Sequence, residues 1–459
     1  MREWSAQRIA RASAAGLVRP ARSDAGPVRA VVDSRAVRAG DLFVGIRGAH
    51  DDGGRFAAGA LQDGAWGVLV TPEHARDLPG DGAVLATRDP IAALGRLARA
   101  WREELGCRVV GITGSTGKTS TKEILAGLLQ PQVSTLASRA NFNTEIGLPL
   151  NVLAAEPGVE VLVLELAMRG AGQIAELADI ARPDVGVVVN IGPVHLELLG
   201  SLQAIAAAKA ELIVGLEPGG TAVVPAGDEL LAPHLRDDVR TLAFGPGGDV
   251  RLVAHEGAEV VVDALGDRLE LEVPFTQAYH RDNLLAAVAA AVAIGIRPGG
   301  RFDVAFSPLR GERVELADGT VVLNDCYNAN PMSMRAALDE LASAEGTRRV
   351  AVLGDMLELG PDELVYHEEV GREAAARGVD LLVTAGPRAV AMGEAFDGQT
   401  YAFADAAEAA AILPELLEPG DVVLVKASRG VELDLLVDEL VAALGGADDA
   451  TRTREGARS

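Results

Sequence analysis

The densest chemistry in this chain lies in Val109-Val-Gly-Ile-Thr-Gly-Ser-Thr-Gly-Lys-Thr-Ser-Thr121, where an apolar run enters a glycine-rich turn and Lys-Thr opens a helix. Glycines at 114 and 117 let the backbone curl with its N–H groups inward, and the following helix adds its positive dipole end, so Thr113, Gly114, Ser115, Thr116 and Gly117 form a cradle for phosphate. Lys118 would neutralise the β/γ-phosphate charge, and the hydroxyl of Thr119 is a natural Mg²⁺ ligand. The strict pattern wants a glycine at 112; the chain has Ile112, with Gly111 one place early. The loop is therefore a variant. A flexible strand-to-helix turn is the plain alternative, and Lys-Thr in this context tells against it.

Further polar residues fall at or beyond the ends of apolar runs. Glu165 closes Val161-Leu-Val-Leu-Glu-Leu166, an expensive place for a carboxylate unless it meets a cation. His195 follows Val187-Val-Val-Asn190 in a loop, where a neutral imidazole could complete a metal site with Glu165 or serve as a hydrogen-bonded structural residue. Lys209 sits within the apolar stretch Leu202 to Ile213; by itself it reads more readily as a snorkelling surface side chain. Asn324-Asp-Cys-Tyr-Asn-Ala-Asn-Pro331 and Lys426-Ala-Ser-Arg429 each follow a strand pattern. Their Asn and Ser residues could simply cap helices, but Lys426 and Arg429 together, in so acidic a chain, suggest an anionic ligand. Asp33-Ser-Arg35 ends an early strand, where it could receive a sugar or phosphate or form a surface ion pair.

Positioning such groups takes a layered α/β fold. The chain has 459 residues, of which 49% are apolar and 3% aromatic, enough for about three domains. The net charge of −24 argues against wrapping nucleic acid or lying on anionic lipid. Cys107 and Cys326 are the only cysteines, so no disulfide framework or cysteine zinc site is expected. Met1-Arg-Glu-Trp-Ser-Ala-Gln-Arg has no signal-like apolar core, and the apolar run Leu284 to Ile296 falls short of the ~18 residues of a membrane span. A cytoplasmic protein without membrane insertion is expected, with that run a buried helix. Residues 1–104 read as a small first domain, with strands at 28–35 and 41–46 joined by a glycine turn. Residues 105–300 carry continuous apolar strands at 108–113, 159–166, 184–191 and 221–224, the mark of a parallel sheet covered on both faces. After the turn-rich 297–301, residues 301–446 resume a βα rhythm, with strands at 320–323, 348–353, 380–384, 400–403 and 421–425, read as a doubly wound, Rossmann-like domain. The tail 447–459 is expected to be disordered.

Together these segments resemble the Mur ligase family. The resemblance runs from Asp33-Ser-Arg35 and Gly40-Asp-Leu-Phe-Val44, through Thr113-Gly-Ser-Thr-Gly-Lys-Thr119 and Asn141-Phe-Asn-Thr-Glu-Ile-Gly147, to Asp325-Cys-Tyr-Asn-Ala-Asn-Pro-Met-Ser-Met334, Leu353-Gly-Asp-Met-Leu-Glu-Leu-Gly360 and Lys426-Ala-Ser-Arg-Gly430. It accounts for the missing loop glycine, since family members carry Thr-Gly-x-x-Gly-Lys-Thr/Ser. It implies three domains, for a UDP-sugar, for ATP and for the incoming amine, and it implies the branch that joins D-alanyl-D-alanine to a UDP-N-acetylmuramoyl-tripeptide through an acyl phosphate, acting as a monomer with ATP and Mg²⁺. Thr119 and Glu165 would hold one Mg²⁺ and His195 a second. Lys209 matches the family lysine that is carbamylated, Asn283 the residue meeting adenine, and Arg313 the arginine near the phosphates, with Arg310 close by. Asp325, Asn328 and Asn330 would line the closed site beside Lys426 and Arg429, and Ser34, Arg35, Asn143 and Thr144 would meet the UDP-sugar substrate. One departure is Asp51-Asp-Gly-Gly-Arg-Phe56, with Gly54 where relatives often carry histidine.

Overall fold

The computed structural model describes residues 1–22, 25–48, 51–139 and 141–445; the tail expected to be disordered lies outside them. Among the described residues the strands form three sheets, of five, ten and six strands. The first draws on residues 16–86. Its strand Ala30–Val31 is shorter than expected and pairs parallel with Leu42–Val44, so a hairpin across the glycine turn is ruled out. Asp33 is the reason: its carboxylate accepts the Arg35 N–H at 2.9 Å and starts a 3₁₀ turn, Ser34–Ala36, that carries the chain across to the next parallel strand.

The ten-stranded sheet is parallel where the apolar runs indicate. Arg108–Thr113 lies between Val161–Glu165 and Val185–Val188, with Thr221–Pro225 beyond. Alternate residues of each strand feed different cores. Val109, Leu162 and Leu164 pack with Leu94 and Leu97 of helix Pro90–Leu105 and with Ile205 and Leu212 of helix Leu202–Val214. Val110, Ile112, Val161 and Val163 face Ile124 and Leu125 of the helix Lys118–Leu129 and Leu284, Leu285 and Val288 of Ala278–Ala293. The run read as a buried helix is therefore the inner layer behind the phosphate loop. The first of these cores also includes Leu42, Leu69 and Leu85, so the N-terminal sheet shares a core with the central domain. An antiparallel extension, Val250–Glu256, Glu259–Ala264 and Asp267–Glu272, widens the same sheet.

The connection to the third body begins later than the turn at 297–301. Gly300–Arg301 pairs with Asp267–Glu272, and Phe302 is buried in the central core. The chain then crosses the helix Lys118–Leu129 so closely that a Cβ at Gly127 would fall 2.3 Å from the Asp303 carbonyl. Ser307 then donates its N–H to Glu123 at 3.1 Å. We therefore place the hand-over just beyond Ser307. The six strands that follow include Val321–Asn324, Val422–Lys426, Arg349–Gly354, Leu381–Ala385 and Gln399–Phe403 side by side and parallel, with Glu312–Glu315 antiparallel on the edge.

Candidate active site: a cleft between two domains

A cleft of about 1210 Å³ opens at the carboxyl ends of the central strands and is roofed by the third domain. One wall is the phosphate loop, residues 115–120; the opposite wall holds Asp325, Asn328, Asn330 and Lys426. The loop is clamped from the neighbouring strand end. Asn190 accepts the Thr116 N–H at 3.0 Å and donates to the Thr116 carbonyl at 3.2 Å, while Ser115 Oγ accepts the Gly192 N–H at 2.8 Å. Asn190 was visible in sequence only as a polar residue ending an apolar run; its partner 74 positions away was not. Gly117 has φ +77°, and a Cβ there would lie 2.4 Å from Asn283 Oδ1. A glycine is needed for Asn283 to stand against the loop, where it also accepts from Thr121 Oγ1 at 3.4 Å. Thr113 and Gly114 are buried beneath the loop rather than on the cleft wall.

The metal expectation can be tested on oxygen geometry. Thr119 Oγ1 donates to Glu165 Oε2 at 2.8 Å, close to the edge of about 2.9 Å between adjacent ligands in an octahedral Mg²⁺ shell. Glu165 is held in place by Asn143 Nδ2 at 2.9 Å on its other oxygen and by its own N–H donated to Ser138 Oγ. Thr119 and Glu165 therefore fit a small hard cation, and Asn143 serves that carboxylate. Among the described residues the single cluster of three acidic or histidine ligands lies elsewhere, at Asp52, Glu73 and His74, where Arg47 already pairs with both carboxylates. A cation in the cleft would thus rely on phosphate oxygens as well as on protein.

Lys209 is not a snorkelling residue. It is 2% exposed and its amine donates to the Gly114 carbonyl at 3.0 Å, the same oxygen that Lys118 Nζ reaches at 2.8 Å. Burial, with a further push from Lys118, drives the Lys209 amine well below the ordinary lysine value. Burial likewise lowers Lys118, against the opposing pull of Glu165. His195 is half-buried on the cleft wall with φ +54°. Burial pulls its imidazole down against the opposing effect of Glu358, to which Nδ1 is bonded.

On the third domain's side the two expected cations part company. Lys426 is buried and spent within the protein, on Asp325 Oδ2 at 2.5 Å and the Asn328 carbonyl at 2.9 Å. Arg429 is exposed, pairs with Asp434 at 2.8 Å and lies off the cleft wall. The two share a strand end, but of the two only Lys426 lines the cleft. Asn330 caps the helix Pro331–Ser343 in a reciprocal box with Ser333, through its Oδ1 and backbone N–H, and also lines the cleft. Arg313 is exposed beside Glu315 and outside the cleft; Arg310 is inside it, with its guanidinium 3.8 Å from the ring centre of Tyr327 and its Nε buried without a hydrogen-bond partner among the described residues. The resemblance favoured Arg313; of the two, Arg310, just before the edge strand Glu312–Glu315, is the one on the cleft wall. His280 also lines the cleft, stacked on Phe306 at 4.5 Å and pushed down to about 3 by burial.

Ser34 and Arg35 are remote from these groups. Arg35 is exposed and paired with Asp33 at 2.8 Å, and neither residue lines the cleft. Thr144 does line it. The Gly54 departure has a structural counterpart. A Cβ at 54 would fall 2.2 Å from His74 Cδ2, so the His74 imidazole, within 3.3 Å of Asp52, occupies the space that a side chain at 54 would take. Gly54→His alone is expected to destabilise the protein by about 1–3 kcal/mol through overpacking, and His74→Gly added to it should restore the melting temperature. Failure of the second change to compensate would separate the two positions.

Two family models match the chain: the Mur ligase middle domain over residues 112–291 and the Mur ligase glutamate ligase domain over residues 309–429. The UDP-N-acetylmuramoyl-tripeptide–D-alanyl-D-alanine ligase of Synechocystis sp. is 36% identical over 419 residues, covering 89% of this chain and 91% of the relative. The crystal structure of MurF from Acinetobacter baumannii superposes with a TM-score of 0.86 at 29% identity, covering 96% of this chain and 99% of that one. MurF ligase from Thermotoga maritima in complex with ADP gives 0.79 at 30% identity, covering 91% and 97%.

Proposed function

This chain belongs to the Mur ligase family, and from that premise we propose that it joins D-alanyl-D-alanine to a UDP-N-acetylmuramoyl-tripeptide at the expense of ATP, in peptidoglycan precursor synthesis. The observation that carries the reading is the shared cleft: a phosphate loop with two lysines on one wall and the Asp325–Asn330 segment of a second domain on the other. A simple phosphate-loop hydrolase needs no such roof. A ligase that must protect an acyl phosphate from water does.

In this reaction the terminal carboxylate of the tripeptide attacks the γ-phosphate, ADP leaves, and the dipeptide amine displaces phosphate from the acyl carbon. No side-chain nucleophile is required, so the protein contributes position and charge. Lys118, now folded onto the Gly114 carbonyl, would swing to the β/γ-phosphates. Asn283, which stands against the loop, would meet the base, and Arg310, whose Nε has no hydrogen-bond partner among the described residues, would take the phosphate role expected of Arg313. Mg²⁺, held by Thr119 and Glu165 and with His195 at a second position, would supply charge neutralisation on the phosphates and the attacking carboxylate. Asp325 and Asn328 would meet the nucleotide from the third domain, and Thr144 the sugar-peptide substrate. Ser34 and Arg35 would serve the uridine end of that substrate, away from the chemistry.

The family resemblance implies a carbamate at Lys209, and its surroundings support that reading. Two ammonium groups on one carbonyl oxygen would be a like-charge pair; loss of the Lys209 ammonium proton, addition of CO₂ to the free amine and release of a second proton to solvent would instead leave an anionic carbamate, with Lys118 as counter-ion. We take the enzyme to act in the cytoplasm as a monomer; among the described residues no helix is long and apolar enough to cross a membrane.

Phosphate release with the UDP-linked tripeptide and a panel of amino acids and dipeptides tests the assignment. Release that requires D-alanyl-D-alanine is expected; release without any amine would make the protein a hydrolase or kinase. Arg310→Ala should weaken ADP affinity about tenfold, or about 1.4 kcal/mol, in a calorimetric titration, whereas Arg313→Ala should leave it unchanged. The reverse order would return the role to Arg313.

A further inference from the structure

His195 is held from behind by a residue of another domain. Its Nδ1 is bonded to Glu358 Oε2, on the loop that follows strand Arg349–Gly354 of the third domain. The same loop reaches the central domain twice more. The Glu358 carbonyl accepts the Glu197 N–H at 3.3 Å, and a Cβ at Gly360 would sit 3.3 Å from that nitrogen. Nearby, Met332 is seated on Gly192, where a Cβ would fall 1.8 Å from its sulfur. Both members of the His195–Glu358 pair have left-handed backbones, at φ +54° and +63°, a conformation that persists in non-glycine residues only when the surroundings enforce it. Leu357 N–H donates to Ser428 Oγ at 3.0 Å, which anchors the loop to its own domain. His195 lines the cleft and Glu358 does not.

We propose that Glu358 is a positioning residue: when the third domain closes, it takes the Nδ1 proton of His195 in a hydrogen bond and leaves Nε2 bare towards the cleft. A carboxylate can only accept, so Nδ1 must donate, and the imidazole is fixed in the tautomer and orientation a metal ligand requires. The phosphate-loop wall and the third domain then form one functional unit only in the closed state, because the residue orienting His195 arrives with the roof. The proposal rests on the ligase reading for its kinetic consequences, but the tautomer of His195 can be read without turnover.

The test uses full-length protein labelled with ¹⁵N-histidine, which has seven histidines, with His195 assigned by His195→Gln and with Mg²⁺ and ADP present. The wild type should show His195 protonated at Nδ1. In Glu358→Ala that preference should be lost, Mn²⁺ affinity in the presence of ADP should fall and kcat should drop about 10- to 100-fold, while KM for the UDP-linked tripeptide is nearly constant. Glu358→Gln, whose amide oxygen still accepts the Nδ1 proton, should recover most of the loss. An unchanged tautomer and unchanged Mn²⁺ affinity in Glu358→Ala, or a Glu358→Gln variant as impaired as the alanine, would overturn the proposal. A wild type that releases no phosphate in response to D-alanyl-D-alanine would instead remove the ligase reading and leave the tautomer result to stand.

Discussion

Lys209→Ala is expected to lower D-alanyl-D-alanine-dependent phosphate release by on the order of 10²- to 10³-fold, with part of the loss recovered by added formate or acetate. The amine is buried, has the Gly114 carbonyl as its hydrogen-bond partner and shares that oxygen with Lys118. As an ammonium it would repel both Lys118 and any metal held at Glu165; as a carbamate it brings an anionic oxygen to the same place. A small carboxylate admitted to the space vacated by the side chain supplies similar chemistry. Absence of rescue, combined with full activity in carbonate-free buffer, would argue that the side chain acts as an amine.

The same residue has a signature in stability. In carbonate-free buffer the folded protein must bury an amine whose pKa lies below that of the unfolded chain. Between the depressed folded value and the usual value of about 10.4, the unfolded state binds more protons, so stability rises with pH across that window. Lys209→Met removes the titration. The variant should melt no lower than the wild type near neutrality, and its advantage should shrink as the pH approaches 10. This is the pattern expected where function, rather than packing, placed the charge.

Lys118→Ala is expected to lower turnover by about 10³-fold and to weaken ADP binding much less. The transferred phosphoryl group gathers charge in the transition state, and among the cleft residues Lys118 is the amine that the loop itself presents. The loop should survive the substitution, since Asn190 and Ser115 hold it without help from the lysine. Single-turnover phosphate release with saturating ATP separates the chemical step from binding; a normal single-turnover rate would place Lys118 outside the chemistry. His195→Ala and Glu358→Ala should fall in the same direction with smaller losses if the two act in series, and a double variant no worse than His195→Ala would show it.

Legibility in the sequence followed locality. The phosphate loop, the strand ends at Glu165 and Asn324, and the buried helix at 278–293 were readable because strand, turn and helix there are contiguous and their apolar periods are strong. Within a residue or so, each expected strand of the third domain is present. The strands at 250–272 were missed although they alternate, with Val260, Val262, Leu269 and Leu271 turned inward; attention to continuous apolar runs passed over a half-exposed antiparallel extension. The 3₁₀ turn at Ser34 was missed because a single aspartate side chain, and no periodicity, produces it.

By itself, the sequence determined the fold class, the phosphate loop with Lys118 and Thr119, and the family, since these reside in short segments whose geometry is set by neighbours along the chain. Only the tertiary structure decided how charges are spent. It assigned Lys426 to Asp325, turned Arg313 outward and Arg310 inward, buried Lys209 behind the loop, let His74 fill the space at Gly54, and joined His195 to Glu358 across 163 positions. The reason is physical. A charged side chain is costly to bury unless partnered, and the partner that relieves that cost lies close in space while its position along the chain is set by topology.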